Sequence, residues 1–202
     1  MDISKQLRDF QEKAKKCTVC RGMGLLHQNG DGRWAYPVLQ QTPSDYRGIV
    51  AVMEAANRDD TYSARKGYIT CDPSTDPTGR FLFQLLTSVG LSPNNIILTN
   101  AALCFPVTEK NPKTQQVQNC SRWLAELIDY VKPLVVVTFG KAALEAVGKI
   151  ERHNLPYQQA LGRPVAWRGR KLLALAHPSA LGRRNIPAER QLQDIRVLRT
   201  LL

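Results

Sequence analysis

The 202-residue chain lacks any apolar run fit to cross a membrane: its longest, such as Leu134 to Phe139 and Leu172 to Ala176, stop far short of the roughly 18 residues a span needs. The opening Met1-Asp2-Ile3-Ser4-Lys5-Gln6 has no apolar signal core, so a cytoplasmic, nucleoid-associated setting is expected. No block of five or more Lys or Arg occurs, which excludes a basic disordered arm. Internal repeats, low-complexity tracts and linkers are also missing. A single domain over residues 1–202, acting as a monomer, is the economical reading.

What the chain does carry is positive charge: 28 Lys and Arg against 17 Asp and Glu, a formal +11. Spread over folded segments, that excess points to a polyanionic partner such as nucleic acid. Residues 151–202 hold ten Arg or Lys against three acidic residues, a local +7.

Apolar spacing orders the elements. Leu7, Phe10 and Ala14 recur at helical intervals behind Ser4, predicting a helix over 4–16, whereas Arg21 to Arg47 has six Gly or Pro and no periodicity. Strands are expected at Gly48 to Met53, Asn95 to Thr99 and Leu134 to Phe139. Helices are expected at Arg80 to Val89, Lys113 to Val131 and Lys141 to Val147. A hairpin-like pair, Pro164 to Trp167 and Lys171 to Ala176, leads through a loop into a helix from Ala188 to Leu201. The alternation predicts a three-layer α/β/α fold around a central four-stranded, mainly parallel sheet. Ligands of such folds bind beyond the C-terminal strand ends. The segments there are Glu54 to Asp60, Asn100 to Phe105 and His177 to Arg184.

Five cysteines in a reducing compartment are thiols or metal ligands before they are disulfides. Cys17, Cys20, Cys104 and Cys120 form one C-x-x-C knuckle and two isolated ligands, a frame compatible with either zinc or an iron-sulfur cluster. The bland alternative makes Cys104 and Cys120 small buried hydrophobes. His177 at a strand end, beside Gly182, Arg183 and Arg184, suits a hydrogen-bond donor next to DNA phosphates.

In order, the chain reads Cys17-Thr18-Val19-Cys20, Thr99-Asn100-Ala101-Ala102-Leu103-Cys104-Phe105-Pro106, Asn119-Cys120-Ser121-Arg122-Trp123 and His177-Pro178-Ser179-Ala180-Leu181. Together these segments resemble the iron-sulfur uracil-DNA glycosylases often called family 4. The resemblance implies a 4Fe-4S cluster on Cys17, Cys20, Cys104 and Cys120, pinning the N-terminal helix and the 105–119 segment to the sheet. Cys71 matches no family ligand. The resemblance further implies that Asn100 reads the uracil edge, that His177 stabilises the departing base, and that residues around Leu181 push into the stack as the nucleotide flips out. Ser179 would contact DNA in the same loop, and Arg183 and Arg184 would grip phosphates.

The family's Gly-Glu-x-Pro-Gly stretch is altered here to Met53-Glu54-Ala55-Ala56-Asn57-Arg58-Asp59-Asp60. Glu54, Asp59 and Asp60 are the candidate water-positioning carboxylates. Asn57 and Tyr68 are candidate base contacts, with Tyr68 as the stacking ring. The expected activity is hydrolytic, monofunctional excision of uracil or a related damaged base from DNA. The competing reading, motivated by the altered stretch, is a protein that binds lesion-bearing DNA without cleaving it. Covalent product trapping ranks last, because Thr61-Tyr62-Ser63-Ala64-Arg65-Lys66-Gly67 has no histidine.

Overall fold

The computed structural model describes residues 3–20, 41–55, 73–74, 76–104 and 111–202. Short β-branched runs form the sheet: β1 (Ile49–Ala55), β2 (Ile96–Ala102), β3 (Val135–Phe139), β4 (Val165–Trp167) and β5 (Arg170–Leu175). Their spatial order is β2-β1-β3-β5-β4. All neighbours are parallel except β4, which pairs antiparallel with β5. The sheet therefore has five strands where the sequence suggested four. The extra one is the short first arm of the hairpin. Arg168 and Gly169 both take positive φ (47° and 69°), as a two-residue type I′ turn demands, and this folds β4 onto the edge.

The helices are α1 (Ile3–Ala14), α2 (Pro77–Ser88), α3 (Thr114–Val131), α4 (Lys141–Ile150), α5 (Tyr157–Ala160), α6 (Ala180–Asn185) and α7 (Ala188–Ile195). Helix α2 starts three residues before its apolar periodicity, because Asp76 caps it. The carboxylate accepts from the Thr78 N–H (2.8 Å) and the Gly79 N–H (3.0 Å), and Pro77 follows at the first helical position. The single C-terminal helix expected over 188–201 instead passes from α7 into a 3-10 turn at Arg196–Thr200. The loop expected after His177 contains α6.

Val50, Val52, Ile97, Val136, Leu172 and Ala174 share one core with α1, α3 and α4. Ile49, Ala51, Val135, Val137, Leu173 and Leu175 share the other, under α2, α7 and the 3-10 turn. Three layers result. From β1 the chain moves outward to β2, then crosses to β3 on the opposite side, which places the topological switch point between β1 and β3. No helix among the described residues is long and apolar enough to cross a membrane.

Candidate functional site

Alternation along the strands assigns the polar residues at the C-terminal edge to faces. Asn100 stands opposite Met53 in the β1–β2 register, two residues beyond Leu98, on the α2 side. It is buried, and it lies within β2 because that strand runs on to Ala102. His177 follows Leu173 and Leu175, so it continues onto the same face. The strands bearing these two residues are three spacings apart, roughly 14 Å, with the switch point between them. Asn100 and His177 thus lie on one face of the sheet, on either side of the switch point. Glu54 belongs to the other face. It follows Val50 and Val52 toward α4, and burial, followed by the Glu145 carboxylate, raises its pKa.

His177 is held from three directions. The Ser179 N–H donates to its Nδ1 (3.2 Å). A neutral imidazole that accepts at Nδ1 carries its proton on Nε2, so this contact assigns the tautomer and leaves an Nε2–H donor. A Cβ at Gly140, where φ is +93°, would lie 3.2 Å from the His177 Cβ; at Gly182 it would lie 1.9 Å from the His177 carbonyl oxygen. Gly140 lets backbone approach the His177 side chain, and Gly182 lets the start of α6 approach the His177 carbonyl. Burial pushes the His177 pKa below its usual value, while the Asp76 carboxylate opposes that shift.

Ser179 caps α6, its Oγ accepting from the Gly182 N–H (3.2 Å). Leu181 projects from the first turn at 67% exposure, the most exposed large hydrophobic side chain among the described residues. Arg184 is exposed. Arg183 is half-buried, its guanidinium 4.9 Å from the Phe81 ring centre and donating to the Pro178 carbonyl.

The four cysteines gather just past the C-terminal end of β2, on the opposite face of the sheet from α2, between α1 and α3. Cys20, Cys104 and Cys120 are buried, Cys17 is half-buried, and all four are free thiols. Burial pushes the Cys120 thiol up to about 11, and Cys20 and Cys17 push the same way. Cys104 is raised further by burial and by the other three cysteines, so the four sulfurs share one locality. Nitrogen donors already face them: Asn119 Nδ2 lies 3.4 Å from the Cys20 Sγ, and an Arg122 guanidinium nitrogen 3.6 Å from the Cys17 Sγ. Among the described residues no three His, Cys, Asp or Glu converge on a point that would hold a single metal ion.

A family model described as the uracil DNA glycosylase superfamily matches residues 60–197. The chain belongs to the uracil-DNA glycosylase superfamily. A Type-4 uracil-DNA glycosylase of Thermotoga maritima is 26% identical over 171 residues, which cover 84% of this chain and 80% of the relative. The Type-4 enzyme of Sulfurisphaera tokodaii is 22% identical over 175 residues, 86% of this chain and 72% of the relative. A Type-5 uracil-DNA glycosylase of Pyrobaculum aerophilum is 34% identical over 119 residues, about half of each chain.

Of the site residues expected in this superfamily member, Asn100, His177, Ser179 and Leu181 lie on or beside the α2 face, and Glu54 does not join them. Asn57, Asp59, Asp60, Tyr68 and Cys71 lie outside the described residues. Asp76 is a carboxylate that reading the sequence for chemistry overlooked, although Asp76-Pro77 is a capping signal that could have marked the helix start there. Its charge raises the His177 pKa. Asp76→Asn keeps a capping oxygen and removes the charge, so the His177 pKa falls further. The acid limb of any His177-dependent activity is expected to move to lower pH in a pH–rate profile. An unmoved limb would disconnect Asp76 from His177.

Proposed function

We propose that this protein is a DNA glycosylase of base excision repair that hydrolyses the bond between deoxyribose and uracil, or a related damaged base, without a covalent enzyme intermediate. The observation that carries the reading is the Ser179 N–H bond to His177 Nδ1, which leaves a neutral Nε2–H donor at the C-terminal edge, on the same sheet face as Asn100 with the switch point between them. Named relatives that act as uracil-DNA glycosylases support the same substrate class.

In the reaction, the C1′–N1 bond breaks with its electron pair going to the base, water oxygen bonds to C1′, and the proton that water gives up ends on the released base. Charge grows on the departing base. The His177 Nε2–H meets it at a carbonyl oxygen, and because the donor is uncharged and already oriented it needs no reorganisation as the bond stretches. The Asn100 amide offers an acceptor oxygen and donor hydrogens, a pattern that matches the N3–H and O4 of uracil and opposes cytosine. Leu181 fits the wedge that fills the stack when the nucleotide leaves it, and exposed Arg184 fits a neighbouring phosphate. A carboxylate among Glu54, Asp59 and Asp60 would position the water.

Cys17, Cys20, Cys104 and Cys120 would hold a 4Fe-4S cluster. The donor set fits: four soft thiols in one locality are the ligand type that iron-sulfur clusters use. Such a cluster supplies a structural cross-link between α1, the end of β2 and α3.

Single-turnover assays on DNA bearing uracil, hypoxanthine or 5-substituted uracil are expected to yield abasic product from at least one of them. Salt-dependent binding with no abasic product from any would replace this reading with that of a non-cleaving lesion-binding protein.

A further inference from the structure

Two adjacent arginines follow Leu181, and sequence alone assigns both to phosphates. The structure separates them. Arg184 is exposed, whereas Arg183 is half-buried, lies face-on to Phe81 of α2 at 4.9 Å and donates to the carbonyl of Pro178. Phe81 is itself buried in the α2 core, and Pro178 is the residue next to His177. The guanidinium therefore bridges the rigid core of α2 and the backbone that carries the imidazole. Ser179 completes the frame, since its N–H orients the ring and its Oγ caps the turn from which Arg183 projects.

We propose that Arg183 is a positioning residue: it locks α6 and the His177-Pro178-Ser179 segment onto α2, and its charge is spent inside the protein instead of on a DNA phosphate. The proposal rests on the glycosylase reading for its consequence on rate, though not for its structural claim. Arginine is suited to the position because a planar guanidinium can lie on a ring while its edge nitrogen donates to a carbonyl. A lysine ammonium has no plane to stack.

Three variants separate the roles: Arg183→Ala, Arg184→Ala and Phe81→Leu, the last removing the ring while leaving every charge in place. The first readout needs no activity. Amide hydrogen exchange at Gly182 and Ile186, whose N–H groups bond to Ser179 Oγ and the Gly182 carbonyl, is expected to quicken at least about tenfold in Arg183→Ala and in Phe81→Leu, with no further gain in the double variant. The second is the slope of log binding constant against log salt. Arg184→Ala is expected to shallow it by about 0.9 on duplex DNA and Arg183→Ala to leave it unchanged. The third is single-turnover excision at saturating enzyme, expected to fall at least about tenfold in Arg183→Ala and Phe81→Leu because the imidazole is displaced, and to stay low in Arg183→Lys.

A salt slope shallowed by Arg183→Ala, or exchange at Gly182 and Ile186 unchanged in both core variants, would overturn the proposal. If Arg183→Ala does not fold, Phe81→Leu decides by the exchange readout. Wild-type protein that makes no abasic product overturns the glycosylase reading while leaving the exchange result to judge the lock.

Discussion

Replacing His177 with alanine is expected to slow single-turnover excision of uracil by roughly 10²–10³, the usual cost of one preorganised donor to a developing anion, with the affinity for the same DNA little changed. The asymmetry follows from where the donor acts. The Nε2–H meets charge that exists only as the bond breaks, so its loss raises the barrier and spares the ground state. The ring also has a pH signature. Its folded pKa lies below the ordinary histidine value, through burial and despite Asp76, so protonation favours the unfolded chain. Stability from this group is fully present above about pH 6.5, and is lost as pH falls through the folded pKa. Protonation places a hydrogen on Nδ1 as well, which destroys the acceptor for the Ser179 N–H. Rate and stability should therefore decline together on the acid side. A His177→Ala variant whose loss lies wholly in DNA affinity would assign the residue to binding and not to the transition state.

Substituting Cys120 with alanine is expected to abolish cluster assembly and to cost on the order of 4–5 kcal/mol or more, the range typical of losing a structural metal centre. The weak partner is α1. It buries Leu7, Phe10 and Ala14 against the core, with Phe10 edge-on to Trp123 at 6.1 Å, and Lys13 pairs with Glu126 at the surface. Burying Leu7 and Phe10 contributes about 1.5–3 kcal/mol each. A helix of twelve residues is marginal in isolation. The proposed cluster, joining Cys17 and Cys20 to Cys104 and Cys120, would hold α1 in place. Iron and sulfide content, a melting curve and hydrogen exchange across α1 test this directly. Protein that lacks iron yet retains zinc, its melting temperature and a protected α1 would refute the cluster.

Much of this was legible in the residues. The β-branched runs at 49–53, 96–99 and 135–139 have few alternatives to a sheet buried on both faces, and the cysteine spacing with the His177-Pro178-Ser179 segment pointed to one superfamily. Element ends were less legible because caps decide them: α2 starts at Pro77 on the strength of one Asp76 carboxylate, and the fifth strand depends on two left-handed residues at the hairpin tip. The site was legible only as a set of names. Glu54 is adjacent in sequence to a strand end, but alternation turns it toward α4, a consequence of the register and not of its identity.

By itself the sequence determined the chemical inventory and the layer order, since spacing of apolar residues dictates which segments can be buried and where thiols, amides and imidazole fall along the chain. Only the tertiary structure decided how those groups act. Two neighbouring arginines diverge because one meets Phe81 and a carbonyl while the other meets solvent, and His177 is a neutral donor because a backbone N–H two residues away happens to face its Nδ1. Local pattern specifies a residue's face, but burial and charge partner are set by segments far away in the chain, as Asp76 is for His177 and Phe81 for Arg183, and packing alone brings those together.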